Sequence, residues 1–138
     1  MRLSRMLLVI LMLFAPLLPA EDKVAGEGDE AKEPAVISYY QIKPALVANL
    51  AAGGKYIRCN IQLMTDDESF LEDLKLHGPA IRHALLLLLS EQDGNSVKTP
   101  LGKEALRKKA LSEIARLMKK LSGKEGLKAL FFTTFFVQ

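Results

Sequence analysis

The run Tyr56-Ile57-Arg58-Cys59-Asn60-Ile61-Gln62-Leu63-Met64 decides the fold. Ile57, Cys59, Ile61 and Leu63 occupy one phase, and Arg58, Asn60 and Gln62 the other. A period of two is the mark of a strand with one buried face. Cys59 falls in the apolar row, which predicts a small buried hydrophobe and not a nucleophile.

Upstream, Tyr39-Tyr40-Gln41-Ile42-Lys43-Pro44 reads as a short strand. Pro44 has no backbone N–H, so it marks the strand's end or an edge. Leu46, Val47 and Leu50 follow, and Ala51-Ala52-Gly53-Gly54 forms a turn. Downstream, Thr65-Asp66-Asp67-Glu68 supplies an N-cap and an acidic first turn for a helix through about Leu76. Gly78-Pro79 interrupts it, and proline suits the first position of a second helix, Ile81 to Ser90. That helix carries five consecutive leucines, Leu85 to Leu89. An apolar surface all round predicts burial under a sheet or at a subunit contact.

Asp93-Gly94-Asn95-Ser96 reads as a turn. Thr99-Pro100 opens a third helix, Leu101 to Leu121, with Leu111, Ile114, Met118 and Leu121 at helical spacing. Arg107, Lys108, Lys109, Arg116, Lys119 and Lys120 form its basic side, and Gly123 and Gly126 end it. The last segment, Leu127 to Val137, is a Phe- and Thr-rich strand. Strict alternation groups Phe131, Thr133, Phe135 and Val137 against Phe132, Thr134 and Phe136. Both sets are apolar, which predicts a central strand covered twice. The whole is an α+β domain: a small sheet of three or more strands with two to three helices, in the order β-β-α-α-β.

Arg2 and Arg5 precede a 15-residue apolar run, Met6 to Ala20. At helical rise it covers about 23 Å, short of the roughly 20 residues a bilayer core takes. Pro16 and Pro19 interrupt its second half. The basic start, the short apolar core and Ala20 before Glu21 describe a secretory signal peptide, or else a short uncleaved membrane anchor. Either exports everything that follows. Residues 21–38 are rich in Glu, Asp, Lys, Gly and Ala and predict a disordered acidic tether, which leaves residues 39–138 as the folded domain.

The chain of 138 residues carries a formal charge of +3. Beyond Arg2 and Arg5, 17 basic and 16 acidic side chains leave a net +1. That balance speaks against nucleic-acid binding, which needs a dominant basic face to neutralise phosphates. With Cys59 as its one cysteine, the chain has no disulfide framework.

The residues do not spell out a reaction. His77 and His83 are six apart with Pro79 between them, so they form no ready metal pair. Asp66-Asp67-Glu68 lacks the spaced ligands and central glycine of a calcium loop. Gly102-Lys103 is followed by Glu104 and has Val97 where a phosphate loop needs glycine. The reading is a non-enzyme with no cofactor and no metal. What remains is an interaction surface: Leu85, Leu86, Leu88 and Leu89 on the leucine helix, and Arg107, Lys108, Arg116, Lys119 and Lys120 on the basic one. A basic helix face suits an acidic partner, lipid headgroups or a cell-wall polymer.

Several segments together resemble one known family. Tyr40…Pro44…Val47-Ala48-Asn49-Leu50 is similar to an opening Y-x-L-x-P-F-x-V-N-L, although Ala45 follows the proline and Ala48 is an extra residue. Tyr56 to Leu63 resembles the strand that comes next. His77-Gly78-Pro79-Ala80-Ile81-Arg82 is similar to the h-x-P-x-I-R helix junction. Leu88-Leu89-Ser90, Thr99-Pro100-Leu101-Gly102-Lys103-Glu104-Ala105-Leu106-Arg107 and Phe132-Thr133-Thr134-Phe135-Phe136-Val137-Gln138 match the later L-S, T-x-x-G-K-x-x-L-R and F-T-x-F-x-x-Q segments.

The six pieces, in order, resemble the FliL family of flagellar basal-body-associated proteins. That resemblance implies a domain similar to stomatin/prohibitin-type (SPFH-like) domains, facing the periplasm from the inner membrane. It implies flagellar stator and basal-body proteins as partners, homo-oligomeric rings, and support of torque, swimming or swarming. It implies neither catalysis nor a cofactor. A cleaved N-terminus would instead release a soluble periplasmic protein. A second reading is an exported FliL-like binding or scaffold module of another envelope complex.

Overall fold

A computed structural model describes residues 33–138. The expectations for residues 1–20 and for the tether before Glu33 lie outside the described residues. Residues 33–37 are exposed and without regular structure.

The elements are β1 (Ser38–Gln41), β2 (Leu46–Asn49), β3 (Tyr56–Thr65), α1 (Glu68–Leu76), α2 (Gly78–Ser90), α3 (Gly94–Val97), α4 (Pro100–Ser122) and β4 (Ala129–Val137). The class is the expected α+β with a small antiparallel sheet. The element order corrects the expectation of β-β-α-α-β: β2 makes a third N-terminal strand, and four helices, one of them the single turn α3, stand between β3 and β4.

β3 is the spine. β1 pairs with its second half, Tyr40 opposite Leu63, and β2 with its first half, Leu46 opposite Cys59. Both lie along one edge of β3, and β4 lies along the other. β4 is therefore an edge strand, not a central one. Of its residues only Leu130 is fully buried.

A register shift between Asn60 and Ile61 puts Thr134 opposite Asn60 and Phe132 opposite Ile61. Thr133 is the extra residue, and a bulge of this kind switches the phase of the alternation. Phe132, Phe135 and Val137 thus join Leu130 on the core side. Phe131 and Phe136 lie opposite Gln62 and Arg58, on the outer side.

The apolar row of β3 faces the helices, and Ile57, Cys59, Ile61 and Leu63 are each 0% exposed. α1 lies against β1, α2 against β2, and α4 against β4 and α2. The core adds Phe70 and Leu74 from α1, Ile81, Leu85, Leu88 and Leu89 from α2, and Leu106, Ala110, Ile114 and Met118 from α4. The α4 stripe is a strict i, i+4 row, so Leu121 is left 40% exposed and Leu111 only partly buried.

The caps explain where the helices start. Asp67 accepts from the N–H of Phe70 at 3.1 Å, and Thr99 Oγ1 from that of Gly102 at 3.0 Å. Gly123 ends α4 in the left-handed region at φ 74°.

Candidate interaction surface

Helices cover one face of the sheet. The outer face carries Tyr39, Val47, Phe131 and Phe136, each between 41% and 54% exposed. Tyr39 and Phe131 reach towards each other over β3 with ring centroids 6.5 Å apart, and Tyr56 and Phe136 stand 6.2 Å apart. Arg58, Asn60 and Thr134 lie between the two aromatic pairs. The alternation in β3 gives the buried row but not this arrangement. The rings arrive from β1 and β4, and those on β4 are turned outward only by the bulge.

The leucine run is divided by its place in α2. Leu85, Leu88 and Leu89 are 0%, 6% and 1% exposed within a single chain, and Leu86 is half-buried against them. Leu85, Leu88 and Leu89 pack under the sheet and present nothing to a partner, which corrects their place in the expected surface. The apolar side chain of α2 that does emerge is Leu87, 53% exposed. It lines a groove of about 410 Å³ between α2 and α4 with Ala80, Ala84, Lys109 and Leu117.

The basic side of α4 is partly neutralised. Arg107 donates from Nε and Nη2 to the Glu104 carboxylate at 2.8 and 2.6 Å, and from Nη1 to the carbonyl oxygen of Leu130 at 3.3 Å. The Arg107 hydrogen bond holds the Glu104 carboxyl below its ordinary range, and the same bond raises Arg107. Arg116 donates to Glu113 at 2.7 and 2.9 Å. Lys119 reaches Glu125 at 2.6 Å, a contact that lowers the Glu125 pKa and raises that of Lys119. Exposed pairs of this kind contribute little to stability. They do remove cations from the free charge of the helix: among the described residues Lys108, Lys109 and Lys120 are exposed and in no ion pair.

Cys59 lies between Leu46 and Phe135 in the sheet, and burial pushes its thiol up to about 12. A thiol so placed is a packing group and not a nucleophile. His77 joins α1 to α2 and donates its backbone N–H to the Asp73 carbonyl at 2.9 Å. His83 is exposed on α2. Among the described residues no three His, Cys, Asp or Glu side chains gather as metal ligands, and no helix is long and apolar enough to cross a membrane.

Arg82, which closes the h-x-P-x-I-R junction, has a structural role that the sequence did not assign. Its guanidinium reaches from α2 to the carbonyl oxygens of Pro44 and Ala45, at 2.5 and 3.2 Å, and ties the β1–β2 link to the helix layer.

The profile of a family described as flagellar basal body-associated protein FliL matches residues 39–138, the span from Tyr39 in β1 through β4. The flagellar protein FliL of Aquifex aeolicus (strain VF5) is 28% identical over 107 residues, 76% of this chain and 64% of that protein. The chain thus spans less than two thirds of that relative's length.

Proposed function

The chain belongs to the FliL family of flagellar basal-body-associated proteins, and from that premise we propose that it is a non-catalytic structural part of the flagellar motor. In this reading its exported domain docks on stator and basal-body proteins and supports torque, swimming or swarming. It works as a homo-oligomer, in a layer architecture related to stomatin/prohibitin-type domains. The N-terminal apolar run directs it to the inner membrane facing the periplasm. The family match over the whole sheet-and-helix unit carries this proposal. The geometry supports it: exposed aromatic rings on a sheet face that no described element covers, and lysines on α4 in no ion pair among the described residues, suit protein contacts.

The test is an in-frame deletion, with swimming and swarming measured in media of rising viscosity. The expected result is a loss of speed that grows with load and returns on complementation. Unchanged motility in every medium would transfer the domain to another envelope complex.

A further inference from the structure

Among the described residues β4 has a partner strand on one edge only. Tyr56 and Gln138 exchange both backbone hydrogen bonds, each at 3.0 Å. In an antiparallel ladder such pairs alternate with pairs whose N–H and C=O groups point away. The next residues inward, Val137 and Phe135, therefore turn their backbone groups to the free edge. Leu130 does the same further along, since Arg107 of α4 donates to its carbonyl at 3.3 Å. Thr133 and Thr134 between them are exposed.

Arg107 occupies this nine-residue strand's edge at Leu130, and the edge left open beyond it is a template for another strand. Its flank is built like a receiving groove. Pro100, Lys103, Glu104 and Arg107 of α4 and Phe131 and Phe132 of β4 line an open, shallow groove of about 290 Å³. Lys103 is in no ion pair among the described residues, and its Nζ lies 4.8 Å over the Phe135 ring. Lys108 is also unpaired and close enough to Glu104 to lower its pKa. Glu104 is the one acid against Lys103, Arg107 and Lys108 on this flank, and it is already engaged by Arg107.

We infer that the free edge of β4 accepts an extended, acidic segment of a partner protein as an added strand. The strand's backbone pairs with Phe135 and Val137, its apolar side chains settle on the outer face beside Phe131, and its carboxylates, on the helix side, meet Lys103 and Lys108. Main-chain pairing supplies affinity in this mode of recognition, and the flanking charges select the sequence. The inference deepens the docking role proposed above and rests on it only for the partner being a protein.

The probe is a short synthetic peptide alternating Glu with Val or Thr, added to the full chain while amide exchange is followed by NMR. The expected result is slowed exchange at the Phe135 and Val137 amides, no such effect from the Lys-for-Glu analogue, and about tenfold weaker binding to the Lys103→Glu, Lys108→Glu double variant. Both lysines are exposed, so the variant keeps its core. N-methylation of one alternate set of peptide nitrogens abolishes binding, and methylation of the other set does not. The inference is overturned if the acidic peptide gives no protection or if the lysine analogue protects equally. Protection that grows with chain concentration alone assigns the edge to a second copy and also overturns it. The readout does not involve motility, so a failed swimming test leaves the peptide result standing.

Discussion

Arg82 Nη1 lies 2.5 Å from the carbonyl oxygen of Pro44, thirty-eight positions away, while Nη2 takes the next carbonyl. One planar fork thus fixes the link between β1 and β2 on α2. Lysine cannot reproduce the fork, because an ammonium is a single point of donors. Arg82→Ala is expected to cost about 1 kcal/mol and Arg82→Lys most of that, discounted from the range for charged hydrogen bonds because the site is partly exposed. Urea unfolding should show a lower midpoint at unchanged slope. A midpoint equal to wild type would mean that the link holds itself.

Two glycines bounding α4 test different physics. A Cβ on Gly102 would overlap the Ser96 carbonyl oxygen and stand 3.0 Å from Thr99 Oγ1, so α3 could no longer sit on the start of α4. Gly123 has open space around it but a φ of 74°. Gly102→Ala should cost about 2–3 kcal/mol as overpacking. Gly123→Ala should cost about 1 kcal/mol, and Gly123→Asn less, because asparagine tolerates the left-handed region. Thermal melts of the three variants check the order, and a milder effect at Gly102 than at Gly123 would contradict it.

Burial of Cys59 gives the protein an alkaline liability. The folded thiol is raised to about 12 from an ordinary value of 9.0. Between those values the unfolded chain has lost the proton and the folded one has kept it. Stability from this group is therefore complete below about pH 9 and falls as pH rises, by about 1.4 kcal/mol per unit. Cys59→Ala is expected to be less stable at pH 8, through the lost packing, yet to show a shallower decline towards pH 10.5. Parallel declines for the two proteins would rule the linkage out. The same burial predicts that thiol reagents label Cys59 at the rate of unfolding.

The spine of the fold was legible because β3 writes its burial in a local alternation. Helix starts were legible for a similar reason: Thr99-Pro100 and Gly78-Pro79 carry their geometry in adjacent residues. β2 was not legible, since Leu46–Asn49 is a four-residue strand made stable only by pairing with β3. The place of β4 was hidden by its composition. Apolar residues on both faces suggested a central strand, whereas one set covers the helix layer and the other stands outside. The bulge beside Asn60 set which phenylalanine belonged to which face, and no residue at Thr133 announces it. The five leucines were ambiguous because composition alone does not give the helix's rotation. Ile81, Leu85, Leu88 and Leu89 face the core, so Leu87 must face away. The basic row was visible, but Glu104, Glu113 and Glu125 decide which of its charges are free.

That division of charge separates two groups of cations on α4. Arg116 is 77% exposed at its side chain but tied to Glu113, and Lys119 is tied to Glu125. Lys108 and Lys120 are exposed without a partner among the described residues. If an acidic surface of the motor docks on this helix, the unpaired lysines supply most of the attraction. Lys108→Glu with Lys120→Glu should leave the melting temperature within about two degrees, since exposed substitutions move stability little. The same pair should reduce swimming under load and weaken basal-body association. The defect should be mimicked by raised salt in a reconstituted binding assay, because exposed charges are screened within about 10 Å at 0.1 M. Arg116→Gln, by contrast, should swim nearly as wild type. Chromosomal variants at matched expression levels, compared by swim-ring growth in viscous agar, give the measurement. Full motility in the doubly reversed strain would mean that the motor meets this domain elsewhere, with the aromatic sheet face the next surface to mutate.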